Sequence, residues 1–219
     1  MYPYRLTLNL RSMKSLKVLL LLGACVALCA CSSPTSTVQT NDKGTQWQWE
    51  NGTIVVETPQ RPVDRKSVIG LALPKMEVVR VGFVGLGMRG PGAVERFTHI
   101  PGTQIVALCD YEQGRAEACQ KYLKQASLPK AAVYSGEKGY EELCKRDDID
   151  LVYIATDWLH HFPVAMCAME NGKNVAIEVP SAMNLKECWA LVDMSEKTRK
   201  HCMILENCCY DWFEMNTLN

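Results

Sequence analysis

The sequence predicts a doubly wound α/β fold built on a parallel β-sheet. Three observations carry that expectation. From Glu77 to Glu206, short apolar runs rich in β-branched residues alternate with segments whose apolar positions recur at helical spacing. The first run leads directly into a glycine-rich turn, Gly85-Leu86-Gly87-Met88-Arg89-Gly90. The second ends in a carboxylate, Asp110, about 20 residues beyond that turn.

Taken in order, Glu77–Val84 is an apolar run of the kind that becomes a central parallel strand. A helix from about Pro91 to Thr98 follows the glycines, then a strand over Gln104–Cys109 and an amphipathic helix over Glu112–Gln125. Ala132–Ser135 reads as a short strand, Gly139–Lys145 as a helix and Leu151–Ala155 as a strand. The last repeats are a helix over Phe162–Asn171, a strand over Asn174–Glu178, a helix over Asn184–Lys200 and a strand over Met203–Glu206. Right-handed crossovers then give one parallel sheet covered on both faces.

Each glycine of the turn has a physical task. Gly85 permits the strand-to-helix bend, Gly87 lets the backbone approach a pyrophosphate, and Gly90 lets the helix pack on its strand. The helix N-terminus then offers free N–H groups and a positive dipole end to phosphates. Together with the flanking strand and helix, this is the fingerprint of a Rossmann domain that binds a dinucleotide. Asp110 is placed to accept both adenosine ribose hydroxyls, which favours NAD over its 2′-phosphorylated form. Arg89 and Arg115 leave the phosphorylated form open.

In such sheets the ligand lies beyond the strand C-termini. Those ends carry Thr156-Asp157-Trp158-Leu159-His160-His161, then Glu178-Val179-Pro180, then Asn207-Cys208-Cys209-Tyr210. Thr156 or Asp157 could equally cap the following helix.

The 24 basic and 24 acidic side chains cancel, which argues against a nucleic-acid partner. Of 11 cysteines, the eight from Cys109 onward show no zinc spacing and read as buried thiols. Vicinal Cys208-Cys209 has no neighbouring residue to complete a metal site.

The first 31 residues read as an address. Arg5, Arg11 and Lys14 precede an apolar run from Leu16 to Ala30, interrupted only by Lys17 and too short for a membrane span. Met13 is an alternative start. The run closes on Leu28-Cys29-Ala30-Cys31, which looks like a bacterial lipobox with Cys31 as the lipidated residue. Leu22-Gly23-Ala24-Cys25 fits the same pattern but leaves a shorter apolar core, and ordinary signal cleavage remains the alternative. The expectation is an exported bacterial lipoprotein of the periplasm or cell envelope, held to the membrane by a lipid anchor. Residues 32–75 read as a polar tether and extended arm, with a hairpin around Asn51-Gly52 between Trp47 and Val56.

The glycine turn, Asp110, the Thr-x-x-x-x-His segment from Thr156, Glu178-x-Pro180 and the strand ending in Glu206-Asn207 resemble the Gfo/Idh/MocA oxidoreductases over roughly residues 76–219. In that family a lysine usually stands inside Glu-x-Pro and assists hydride transfer at a sugar hydroxyl. Here the residue is Val179, which removes the usual acid/base. The run Gly85-Leu86-Gly87-Met88-Arg89-Gly90-Pro91-Gly92-Ala93-Val94-Glu95-Arg96-Phe97, with Glu178-Val179-Pro180 and Glu206-Asn207-Cys208-Cys209-Tyr210, resembles a narrower branch. That branch is the NAD-dependent α-N-acetylgalactosaminidases, glycoside hydrolase family 109.

The resemblance implies a sugar oxidised at C3, which acidifies the C2 proton. The glycosidic bond then breaks by elimination, water adds, and the hydride returns, so NAD is not consumed. It further implies NAD contacts from Gly85, Gly87, Met88, Arg89, Gly90, Asp110, Trp158, Leu159, His160, His161, Glu178, Val179 and Asn207. Glu178 and Tyr210 would stand nearest the sugar, as the catalytic candidates, and the partner is an N-acetylgalactosamine-containing glycan. Homo-oligomerisation stays open.

The expected organisation is a signal peptide over 1–31, a tether and arm over 32–75, an NAD-binding domain over 76–207, and the start of a second domain over 208–219. Family members carry a further α/β domain that supplies most of the substrate pocket. The expectation is therefore an N-terminal fragment that holds NAD and is inactive alone. The alternatives are an exported sugar oxidoreductase of the wider family and a non-catalytic, lipid-anchored remnant.

Overall fold

Alternating apolar runs and amphipathic segments condense into a parallel sheet in the computed structural model, which describes residues 38–40, 46–56 and 60–217. The signal segment and Cys31 lie outside the described residues. The chain divides into two units, residues 1–60 and 61–219.

The described part of the first unit is a small antiparallel sheet. Strand β2 (Gln46–Glu50) pairs with β3 (Thr53–Val56) across Asn51-Gly52. Both turn residues have positive φ, as a two-residue hairpin turn requires. A third strand, β1 (Gln39–Thr40), pairs with β2 where the composition suggested only a tether. Its two residues carry no apolar alternation, so backbone pairing alone defines it.

In the second unit β4 (Val79–Val84), β5 (Thr103–Asp110), β6 (Ala132–Ser135), β7 (Leu151–Ile154), β8 (Asn174–Ile177) and β9 (Cys202–Ile204) form one parallel sheet. The order is β6-β5-β4-β7-β8-β9. The chain winds outward from β4 in one direction, then returns and winds in the other, so a crevice opens between β4 and β7.

The connecting helices are α1 (Gly90–Phe97), α2 (Gln113–Gln125), α3 (Gly139–Cys144), α4 (Trp158–Glu170) and α5 (Leu185–Thr198). A 3₁₀ turn over Asn207–Tyr210 and a short helix, α6 (Trp212–Thr217), follow β9.

Two apolar layers sandwich the sheet. Val81 and Phe83 of β4 pack with Ala93 and Val94 of α1 and Leu123 of α2. Val84 and Val152 pack on the other face with Leu143 of α3 and Val164, Ala168 and Met169 of α4. One irregularity sets the phase of β5: the pairing shifts between Val81 and Gly82, so Ile105 and Ala107 face partners one residue apart on β4. The extra residue, Val106, turns Ile105 onto the same face as Leu108.

Two expected boundaries change. Residues from Arg61 onward belong to the compact unit, although they read as an extended arm. The Arg61 guanidinium bonds Asp193 at 2.9 Å and Glu196 at 2.5 Å, and lies over the Trp189 ring. Arg199 donates to the Lys66 and Ser67 carbonyls. These contacts join residues 128 to 135 positions apart, so local pattern carries no sign of them. Helix α4 begins at Trp158, a turn before the expected Phe162. Pro163 therefore lies inside the helix, and Asp157 supplies the N-cap by accepting Leu159 N at 3.0 Å.

The thiols also divide. Cys109, Cys119 and Cys144 are buried, Cys167 and Cys202 partly so, while Cys188, Cys208 and Cys209 are exposed. Burial pushes the Cys109 thiol up to about 12 and the Cys202 thiol up to about 11.

At the opposite end of the sheet from the crevice, Arg80 and Asp150 lock β4 to β7. Asp150 accepts Arg80 N at 2.9 Å, Nε at 2.8 Å and Nη2 at 2.7 Å. The Arg80 bonds hold the Asp150 carboxyl below the ordinary carboxylate range. Such a group stabilises the fold fully above about pH 4, where an unfolded aspartate is ionised, and less as the pH falls through its lower native value. An Asp150→Asn chain is therefore expected to unfold at lower urea than the parent at pH 7, with the gap closing below about pH 4. A gap independent of pH would sink the assignment.

Candidate cofactor cleft

The strand C-termini converge on a cleft of 1040 Å³. It runs from Asp110 and Arg115 at one side, past Gly87 and Met88, to Glu178, Val179 and Asn207 at the other.

The glycine turn is built as its spacing required. Gly85 has φ +91°, and a Cβ there would fall inside 3.0 Å of the Ala155 and Thr156 backbone. Gly85 N donates to Cys109 O at 2.9 Å. A Cβ on Gly90 would fall inside 3.0 Å of Gly85 O, so α1 sits as close to the turn as a glycine permits. At Gly87 the space toward the cleft is open, and the nearest atom a Cβ would meet is Arg115 Nη1 at 3.7 Å. Gly90 is thus a packing residue behind the cleft wall, while Gly85 and Gly87 form the wall itself.

Asp110 ends β5 and is only 6% exposed. Its Oδ2 accepts Leu86 N at 2.6 Å and its Oδ1 accepts Glu112 N at 2.9 Å. The carboxylate therefore ties the glycine turn to the start of α2. It still has lone pairs for a ribose hydroxyl, since a carboxylate offers about four acceptor sites.

At the far side Glu178 follows β8, and its Oε1 accepts the Tyr153 hydroxyl at 2.7 Å. Tyr153 stacks on Phe83 and meets Phe97 edge-on. Burial, then the Glu178 carboxylate, pushes its phenol up to about 12. Val179 lines the cleft directly beside Glu178.

The first turn of α4 divides its residues between different tasks. Trp158 and His160 line the cleft, and His160 Nδ1 lies 2.6 Å from Asp157 Oδ2. Leu159 is exposed and is not among the lining residues. His161 is 1% exposed, with Nδ1 2.6 Å from Pro180 O and Nε2 3.1 Å from Thr156 O. It lines the cleft while tying the Glu178-Val179-Pro180 turn to the end of β7.

Tyr210, expected beside the sugar, is 73% exposed on the 3₁₀ turn and outside the lining. That turn carries Asn207 and Cys208 to the cleft and leaves Cys209 and Tyr210 outside it. Sequence reasoning missed Gly136, Glu137 and Tyr140, which line the adenosine side. The strand-end rule would have found Gly136 and Glu137, because they directly follow β6.

The cleft fits a dinucleotide on three counts: its volume, the open approach over Gly87, and a buried acceptor at the ribose end. The family model described as "Oxidoreductase family, NAD-binding Rossmann fold" matches residues 79–206. The chain belongs to the Gfo/Idh/MocA oxidoreductase family. NAD is the cofactor of its Rossmann domain.

Among curated relatives, "Glycosyl hydrolase family 109 protein 4" of Phocaeicola vulgatus is 78% identical over 94% of this chain and 40% of the relative. "Glycosyl hydrolase family 109 protein" of Porphyromonas gingivalis is 53% identical over 90% of this chain and 41% of the relative. The chain thus spans about 40% of the length of the relatives it matches. Among solved structures, myo-inositol dehydrogenase from Lactobacillus casei in complex with NAD(H) and myo-inositol matches with a TM-score of 0.54. That match has 26% identity and covers 64% of this chain and 42% of that one.

Proposed function

We propose that this chain is the NAD-holding part of a glycosidase that acts on N-acetylgalactosamine-containing glycans by oxidation at C3, elimination and rehydration. The observation that carries the reading is the 78% identity to a relative named glycosyl hydrolase family 109. Val179 supports it, because an aliphatic side chain inside Glu-x-Pro supplies no acid or base for a plain dehydrogenase.

NAD, when bound, supplies a hydride acceptor in one step and, reduced, a donor in a later one. The chain's own residues bind, orient and move protons. Asp110 and the Gly85–Gly87 turn fix the adenosine and pyrophosphate end. Two groups at the other end can hold a proton facing a sugar: the Glu178 carboxylate, aimed by the Tyr153 hydroxyl, and the His160 imidazole, aimed by Asp157. His161 holds the Glu178 turn in place. With Tyr210 outside the lining, Glu178 is the first catalytic candidate.

The test uses an aryl α-N-acetylgalactosaminide with NAD⁺ in D₂O. It compares this chain alone with the chain extended by the remaining sequence of the Phocaeicola vulgatus relative. The extended protein is expected to release the aryl alcohol without accumulating NADH and with deuterium at C2 of the sugar. The chain alone is expected to bind NAD without turnover. Net NADH formation from a free sugar would favour a sugar oxidoreductase instead, and aryl release without deuterium would exclude elimination.

The N-terminal pattern supports export as a lipoprotein. Cys31 is the proposed lipidated residue, and labelled palmitate entering the parent but not a Cys31→Ser chain is the expected result. Equal labelling of both would remove the assignment.

A further inference from the structure

The adenosine end of the cleft holds an arrangement beyond what dinucleotide binding requires. Glu112 occupies the N-cap position of α2, yet its side chain makes no cap bond. Its carboxylate instead takes Arg115 Nη2 at 2.9 Å. The other terminal nitrogen, Arg115 Nη1, stands 3.8 Å from Asp110 Oδ1 and over the open face of Gly87. The guanidinium is half exposed and lines the cleft, whereas Asp110 is held in place by Leu86 N and Glu112 N.

A ribose and a phosphorylated ribose meet this arrangement differently. A ribose hydroxyl donates to Asp110 at no electrostatic cost. A 2′-phosphate would meet two carboxylates and one guanidinium already shared between them, so the local balance is repulsive. The guanidinium itself suits phosphate well, because its planar fork can donate two parallel bonds to it. Its position in the first turn of α2 lets the long side chain swing across the ribose end without backbone movement.

We propose that Glu112 sets the cofactor preference by withholding Arg115. With Glu112 present the cleft takes NAD; without it, Arg115 turns to the 2′-phosphate of NADP. Arg115 is then the discriminating residue and Glu112 its restraint, acting in addition to Asp110, whose carboxylate takes the ribose and ties the glycine turn.

Calorimetric titration with NAD⁺ and NADP⁺ tests this on the parent chain, Glu112→Gln, Glu112→Ala and Glu112→Gln/Arg115→Ala. The parent is expected to prefer NAD⁺. Both Glu112 variants are expected to tighten NADP⁺ about tenfold while NAD⁺ affinity moves less than about twofold, the scale of one solvated charge pair at a binding site. Adding Arg115→Ala is expected to return NADP⁺ to its parental affinity, and raising the salt to shrink the gain. Glu112 is more than half exposed, so its variants are expected to fold, and circular dichroism melting verifies it. An unchanged NADP⁺ to NAD⁺ ratio in both Glu112 variants, or a gain that persists without Arg115, overturns the proposal. Binding of neither nucleotide by the parent overturns it together with the cofactor assignment.

Discussion

Replacing Gly90 with alanine is expected to abolish NAD binding and to lower the unfolding free energy by about 3 kcal/mol. Propensity alone points the other way, since alanine is favoured over glycine inside a helix by about 1 kcal/mol. The structure decides the sign. A Cβ on Gly90 would meet Gly85 O, which is backbone and cannot rotate away. Gly85 is itself clamped, with its N bonded to Cys109 O and its α-carbon against the Ala155-Thr156 peptide. The helix must therefore lift off the turn, carrying its N-terminal N–H groups away from the pyrophosphate position. Urea denaturation and NAD⁺ titration of Gly90→Ala check both halves. A variant as stable as the parent that still binds NAD⁺ would show that the approach is looser than described.

The second large effect is expected at His161. A His161→Leu chain keeps much of the volume but removes the ring's polar contacts with the Pro180 and Thr156 carbonyls. The ring is 1% exposed and its N–H donates to one of these backbone oxygens, so leucine leaves that acceptor without its partner. That costs about 1–3 kcal/mol. It also releases the Glu178-Val179-Pro180 turn, so NAD⁺ affinity is expected to fall by about tenfold, or 1.4 kcal/mol. Lower stability with unchanged NAD⁺ affinity would make His161 a core residue alone. Unchanged stability would refute the bonding described.

Much of the fold was legible because it depends on local chemistry. The strand at Leu151–Ile154 announces itself by β-branched and aromatic residues between polar flanks, and the hairpin at Asn51-Gly52 by a dipeptide that tolerates positive φ. The cleft residues Gly85, Gly87, Asp110, Glu178 and Val179 were found because topology places strand ends together whatever the side chains are. The residues misplaced in advance depend on how a local turn directs them. Leu159 and Tyr210 each sit beside a cleft residue in sequence, but the pitch of α4 and of the 3₁₀ turn carries them away from the lining. Arg115 looked like an opening for a 2′-phosphate until its bond to Glu112 was visible.

The alternation of strands and helices, the glycine turn and the carboxylate that answers it follow from local pattern, since each rests on residues within about one supersecondary unit. The rest depends on packing between distant segments. The extra residue in β5 puts Ile105 on the same face as Leu108. Arg61 draws the arm onto α5, and His161 pins the Glu178 turn from below. These choices come from contacts between residues far apart in the chain. Burial and backbone hydrogen bonding select them jointly, and no local pattern records that selection.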